Sequence, residues 1–202
     1  MTTPPLILLL SGSLRAGSSN EAVLRTARAV AAETPSRLRT VRYDGLATLP
    51  HFNPDDDTDP LPAPVAGLRA AIAGADAILV CAPEYAGTLP GSFKNLLDWT
   101  VGGTEIGDKP VGWVNAAAPG RGGGAEATLR TVLGYTGATV VEEACVRIPV
   151  TGAMSGPDGT VTDPEVRARI GEVLGVLAAW AGPAGPDGRP DGPDRPRRAA
   201  VR

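Results

Sequence analysis

Five apolar runs alternate with stretches whose apolar positions recur at helical spacing. Leu6 to Ser11, Leu38 to Tyr43, Ala77 to Ala82, Val111 to Ala116 and Thr139 to Val150 read as strands with both faces covered, because a fully buried strand shows no polar alternation. Between the first two, Val23, Leu24, Ala27, Val30 and Ala31 form one stripe and predict a helix from Ser19 to Ala32. Val65, Leu68, Ala71, Ile72 and Ala75 predict a second helix. Phe93, Leu96, Leu97, Thr100 and Val101 predict a third that starts near Pro90, a residue favoured in a first turn. A fourth spans Gly124 to Tyr135. The last opens on Thr162-Asp163-Pro164-Glu165, read as a Thr162 cap with Pro and Glu behind it, and buries Val166, Ile170, Val173, Leu174 and Leu177.

Strand and helix in strict alternation predict an α/β fold with a parallel sheet. At 202 residues the chain is short for a six-stranded dinucleotide fold, and the doubly wound order 2-1-3-4-5 fits it better. With only three Trp, three Tyr and two Phe, aliphatic side chains must fill the core. One domain is expected over residues 1–182. Beyond it, residues 183–202 hold five Pro, three Gly, five Arg and three Asp and little to bury, which predicts a disordered tail.

Charge and special residues then exclude several classes. A net charge of -3 gives no basic footprint for nucleic acid. Neither a leader nor a run of about 18 apolar residues occurs, so no membrane partner and a cytoplasmic location are expected. Cys81 and Cys145 each lie in an apolar stretch with no Cys-x-x-Cys spacing and read as reduced core thiols. His51 is the single histidine, which removes a His-rich metal site; no metal is expected.

Doubly wound sheets bind ligands outside the carboxyl ends of their strands, so the loops after strands one, three and four carry the chemistry. The first, Ser11-Gly12-Ser13-Leu14-Arg15-Ala16-Gly17-Ser18-Ser19-Asn20, leads into a helix N-terminus, where free N–H groups favour an anion. A nucleoside triphosphate loop needs a lysine where Ser18 stands, and a dinucleotide fingerprint needs a second glycine between Gly12 and Gly17, which this loop lacks. Hydroxyls and an amide at Ser11, Ser13, Ser18, Ser19 and Asn20, with Arg15, suit a compact phosphate monoester instead. Alone, the loop supports equally well a Ser18 or Ser19 that merely caps the helix. The second loop places Tyr85 where a planar ring can stack on it. The third, Ala116 to Gly124, is small and glycine-rich and lets a backbone lie flat against a ligand.

Together GSLRAGSSN (Gly12 to Asn20), PEYAGTLPGSFKNLLDW (Pro83 to Trp99) and APGRGGG (Ala118 to Gly124) resemble the NADPH-dependent FMN reductase family, a flavodoxin-like group of quinone, azo and chromate reductases. The resemblance runs from Leu6 to Trp180 and implies non-covalent FMN. It carries the phosphate site onto Ser13, Arg15, Ser19 and Asn20, with Ser11 and Ser18 beside them. The flavin-ring site falls on Pro83, Glu84, Tyr85, Ala86 and Gly87, and the glycine-rich site on Ala118, Pro119, Gly120 and Gly122. Many relatives have Asn where this chain has Ala86, and several have Ser within the run Ala116 to Ala118.

The resemblance further implies a flavodoxin-like five-stranded α/β/α domain and an oxidoreductase whose chemistry resides in flavin N5 rather than in a side chain. Hydride would pass from NADPH or NADH through FMN to a quinone, flavin or similar small-molecule acceptor, by ping-pong exchange at one site. Arg121 has two readings, solvent or the extra phosphate of NADPH, and His51 reads as a surface residue. A homodimer or homotetramer is implied. Two other readings stand: an FMN-binding electron carrier without nicotinamide turnover, and a phosphate-binding protein without flavin.

Overall fold

The sheet is built from β1 (Leu6–Ser11), β2 (Arg39–Tyr43), β3 (Ala77–Cys81), β4 (Pro110–Asn115) and β5 (Thr139–Arg147). In the computed structural model, which describes residues 3–33 and 37–181, these strands are all parallel in the order β2-β1-β3-β4-β5. The helices are α1 (Ser19–Glu33), α2 (Ala63–Ala73), α3 (Gly91–Asp98), α4 (Gly123–Thr136) and α5 (Pro164–Trp180). The expected tail, residues 183–202, lies outside the described residues.

Side chains two apart on a strand share a face, and this period divides the interior into two cores. Ile7 and Leu9 of β1, with Leu79 and Cys81 of β3, pack against α1 and α5. Leu8 and Leu10, with Ile78 and Val80, pack against α2, α3 and α4. The result is three layers, α/β/α, with the flavodoxin-like order expected.

Three expectations need correcting. β2 and β5 are not covered on both faces: Val41 is 41% exposed, and Glu142 and Glu143 of β5 are exposed, because an edge strand has a neighbour on one side only. The cap of α5 is Asp163, whose side chain accepts from the N–H groups of Glu165 and Val166; Thr162 stands one position too early, and Pro164 takes the first helical position. Val101 lies past the end of α3 and is 64% exposed, so the apolar stripe of that helix stops at Leu97.

Between β2 and α2 the chain makes an excursion over residues 44–62, and α3 holds it down. Asn95 accepts from the Phe52 N–H at 2.7 Å and donates to the Pro50 carbonyl at 2.8 Å, a carbonyl that also accepts from Trp99 Nε1 at 2.9 Å. The Phe52 ring meets Trp99 edge to face at 5.0 Å. Farther on, Arg69 donates to Asp57 at 2.7 Å and to the Trp99 carbonyl at 3.0 Å. In FKNLLDW, Asn95 and Trp99 therefore brace a neighbouring loop. His51 is exposed at its tip.

The Arg69–Asp57 side chains are only 10% and 9% exposed, and removing one partner of such a pair strands the other charge. Asp57→Ala is expected to lower unfolding stability by about 3 kcal/mol in urea titration. A loss under about 0.5 kcal/mol, the scale of an exposed pair, contradicts this.

Candidate functional site

The β1–α1 loop is organised by its own hydroxyls. Ser11 Oγ accepts from the Ser13 N–H and donates to the Ser13 carbonyl, both at 3.3 Å, and Ser13 Oγ accepts from the Arg15 N–H at 3.2 Å. Ser18 Oγ accepts from the Glu21 N–H at 3.2 Å, so Ser18 is the cap of α1. These contacts shape the loop. The N–H groups of Ser19 and Asn20 lie ahead of the first helical bond, from Ala22 N to Ser18 O at 3.0 Å, and have no acceptor within the helix.

Asn20 is oriented from below. The Cys81 thiol, at the end of β3, donates to Asn20 Oδ1 at 3.3 Å, and burial pushes that thiol well above its ordinary pKa, keeping it a donor. With its oxygen engaged, the amide has its N–H2 group to offer a ligand. Glu21, also buried, is held by Arg25 at 2.8 Å and by Arg42.

After β3 the chain forms a tight hairpin. Tyr85 and Thr88 exchange backbone hydrogen bonds at 3.0 and 3.1 Å, and the two residues between them, Ala86 and Gly87, have φ of +50° and +76°. Positive φ at both central positions is what a type I′ turn requires, and Asn-Gly fills it best. Ala86 therefore lacks the conformational fit that Asn would have at this position.

Glu84 ties this loop to the next. Its carboxylate accepts from the N–H groups of Gly124 and Ala125 at 2.7 and 3.2 Å, the second and third residues of α4. The approach is close enough that a Cβ on Gly124 would stand 2.0 Å from the Gly87 carbonyl oxygen. A second link joins the Thr88 and Thr128 hydroxyls at 2.8 Å.

The β4–α4 loop turns at Ala118-Pro119-Gly120-Arg121, closed by a bond from Arg121 N to Ala118 O at 3.0 Å with Gly120 at φ +79°. Asn115 supports it from the strand end, accepting from the Ala117 N–H at 3.0 Å and donating to Glu126 at 2.7 Å. Arg147 of β5 grips the same Glu126 at 2.5 Å. Burial raises the Glu126 pKa, but the hydrogen bonds from Arg147 and Asn115 outweigh it and hold the carboxyl below its ordinary range. Its support is therefore complete above the unfolded value, about 4.3, and is lost as pH falls through the lower folded one.

These loops enclose a cleft of about 480 Å³, within the range of small-molecule sites. Of the residues expected from sequence, Arg15, Ser19, Asn20, Pro83, Glu84, Ala118 and Gly122 line it. Ser11, Ser13 and Ser18 make the internal contacts just described. Tyr85, Ala86 and Gly87 form the exposed hairpin, and Pro119 and Gly120 an exposed turn. The sequence reading missed Ala82 and Val150 as lining residues and did not assign Ala116 and Ala117, whose small side chains widen the slot. Asn115, Glu126 and Arg147 carry no local signal, since their partners are brought together only by the fold.

At one end the cleft offers the N–H groups of Ser19 and Asn20, the Asn20 amide and Arg15; its walls beyond are small, from Ala82 and Ala116 to Ala118. A ligand with a compact anion at one end and a planar ring at the other fits this donor set, and FMN is such a ligand. Among the described residues, no group of three or more His, Cys, Asp and Glu could hold a metal, and no helix is long and apolar enough to cross a membrane.

Residues 5–151 match the family described as NADPH-dependent FMN reductase. The chain is 31% identical over 179 residues, 86% of its own length and 90% of the other's, to a probable NADPH:quinone oxidoreductase of Oryza sativa subsp. japonica. It is 31% identical over 144 residues, 68% of its length and 73% of the other's, to a quinone reductase of Escherichia coli K12. Among solved structures, the flavoenzyme NAD(P)H:(acceptor) oxidoreductase of Paracoccus denitrificans superposes with a TM-score of 0.74 at 27% identity, covering 88% of this chain and 97% of that one.

The hairpin supplies a stability test. An L-residue in the left-handed region costs roughly 1 to 2 kcal/mol, a cost Asn partly escapes. Ala86→Asn is expected to raise the melting temperature by roughly 2 to 4 °C in a calorimetric scan, and Ala86→Val to lower it. The opposite order contradicts the turn assignment.

Proposed function

Because the chain belongs to the NADPH-dependent FMN reductase family, and is thus an FMN- and NAD(P)H-dependent oxidoreductase, we propose that it reduces a quinone, a free flavin or a similar small acceptor. Nicotinamide and acceptor take turns in one cleft, a ping-pong exchange. Relatives named quinone reductase support the acceptor class. The observation that carries the proposal is the cleft in which all three loops meet, with the unbonded N–H groups of the α1 N-terminus at one end.

Bound FMN supplies the redox chemistry, accepting and returning hydride at N5. The chain's task is to bind and orient. Arg15, the Asn20 amide and the N–H groups of Ser19 and Asn20 hold the phosphate at the α1 N-terminus, where the helix dipole favours negative charge. Pro83 and Glu84 on one side and Ala116 to Gly122 on the other form the slot for the ring. Glu84 does not meet the ring with its carboxylate, which is committed to Gly124 and Ala125; it sets the spacing of the two loops.

We further propose that the chain works as a homodimer or a larger homo-oligomer. Leu14 and Tyr85 are 59% and 54% exposed on loops that border the cleft, and such apolar side chains are suited to cover by a second subunit.

Purified protein is expected to be yellow, or to become so on adding FMN, and to bleach within catalytic time on anaerobic mixing with NADPH. A protein that stays colourless after FMN addition and dialysis contradicts flavin binding, and one that keeps its colour with NADPH is a carrier. Arg15→Ala combined with Asn20→Ala is expected to weaken FMN binding by about 2 to 4 kcal/mol, because two donors to a charged phosphate are lost. Unchanged affinity in a fluorescence titration removes the phosphate from this loop.

A further inference from the structure

The cleft contains more positive charge than one phosphate needs. Arg25, Arg42, Arg69, Arg130, Arg147 and Arg167 each sit against a carboxylate. Arg15 and Arg121 both line the cleft, and neither guanidinium makes a hydrogen bond or ion pair with a described residue. They are launched from different strands. β1 and β4 have β3 between them, so the two loops leave the sheet roughly 10 Å apart, two strand spacings. The α1 N-terminus and Arg15 serve one anion. On the other wall the α4 N-terminus already has its anion in Glu84, so Arg121 is the remaining charge there.

FMN has a single phosphate, and the first wall provides for it. Resting on the flavin-reductase reading above, we propose that Arg121 is the residue that selects NADPH over NADH, by binding the phosphate monoester on the 2′ position of the adenosine ribose. A monoester dianion is the group for which a planar guanidinium has its best geometry, two parallel N–H donors to two oxygens. The pyrophosphate is common to both nicotinamides and cannot discriminate between them. The Pro119-Gly120 turn projects Arg121 at the exposed rim of the cleft, where the adenosine end of a dinucleotide extends once its nicotinamide lies in the slot.

The test uses the full chain loaded with FMN and two probes that differ only in the 2′-phosphate, adenosine 2′,5′-bisphosphate and adenosine 5′-monophosphate, in isothermal titration calorimetry. The bisphosphate is expected to bind about tenfold tighter or better, from charge-assisted hydrogen bonds to one phosphate, and Arg121→Ala to cut that preference below about threefold. In turnover, the ratio of NADPH to NADH kcat/KM is expected to fall about tenfold in Arg121→Ala, through the KM for NADPH. Equal affinity for the probes in the unsubstituted chain, or a preference that survives Arg121→Ala, overturns the assignment. So does an equal loss with both nicotinamides, which places Arg121 on the pyrophosphate. The FMN loading step keeps the two proposals apart: a chain that takes up no FMN sinks the function itself, and one that loads FMN but ignores the 2′-phosphate sinks only the role of Arg121.

Discussion

The cleft depends on how two helix N-termini satisfy their positive ends. α4 is given a charged partner from within the chain, the Glu84 carboxylate, at 2.7 and 3.2 Å from two first-turn N–H groups. α1 is given a neutral one, the Ser18 hydroxyl. A carboxylate offsets the dipole and a hydroxyl does not, and the first-turn Glu21 of α1 is committed to Arg25 and Arg42, so one helix end is closed to anions and the other left open. The same bond that closes α4 also fixes the distance between the hairpin after β3 and the glycine-rich turn after β4, and this distance is the width of the slot.

Around that bond the rest of the fold acts as scaffold. The parallel order β2-β1-β3-β4-β5 brings the carboxyl ends of β1, β3 and β4 side by side. Gly12 N bonds to the Cys81 carbonyl at 2.9 Å, which locks the first loop to the base of the second. Asn115, Glu126 and Arg147 hold the third from below. The excursion over residues 44–62 is clasped to α3 by Asn95 and Trp99. Few of these groups touch the cleft, yet each restrains a residue that does.

Much of this was legible before any coordinates. Continuous apolar runs such as Leu6 to Ser11 and Ala77 to Ala82 announce buried parallel strands, and five of them in a chain short for a six-stranded fold favour the order 2-1-3-4-5. The polar character of the β1–α1 loop was legible, but not the division of labour within it. Six polar side chains were candidates, and which of them are spent on the loop itself depends on φ, ψ and distance rather than residue type. The hydroxyls of Ser11, Ser13 and Ser18 bond to backbone within the loop and the first turn of α1; the side chains of Arg15, Ser19 and Asn20 make no such bond, and Asn20 is held instead by the Cys81 thiol. Glu84 was attributed to the right loop, but its partners lie some 40 positions on, at Gly124 and Ala125, and no local pattern signals a contact of that range. Ala86 looked like a missing side chain until its φ of +50° showed a backbone demand.

The family supplies the flavin and nicotinamide chemistry; the arrangement of charge is this chain's own statement of where the ligand's phosphate goes. The most direct measurement is a backbone amide NMR titration with FMN. The account predicts that the Ser19 and Asn20 amides shift strongly downfield as FMN is added, as N–H groups taking up a phosphate do, while the amides of Gly124 and Ala125, already bonded to Glu84, show no such downfield change. Large downfield shifts at Gly124 and Ala125 with none at Ser19 and Asn20 would place the phosphate at the wrong helix and contradict it.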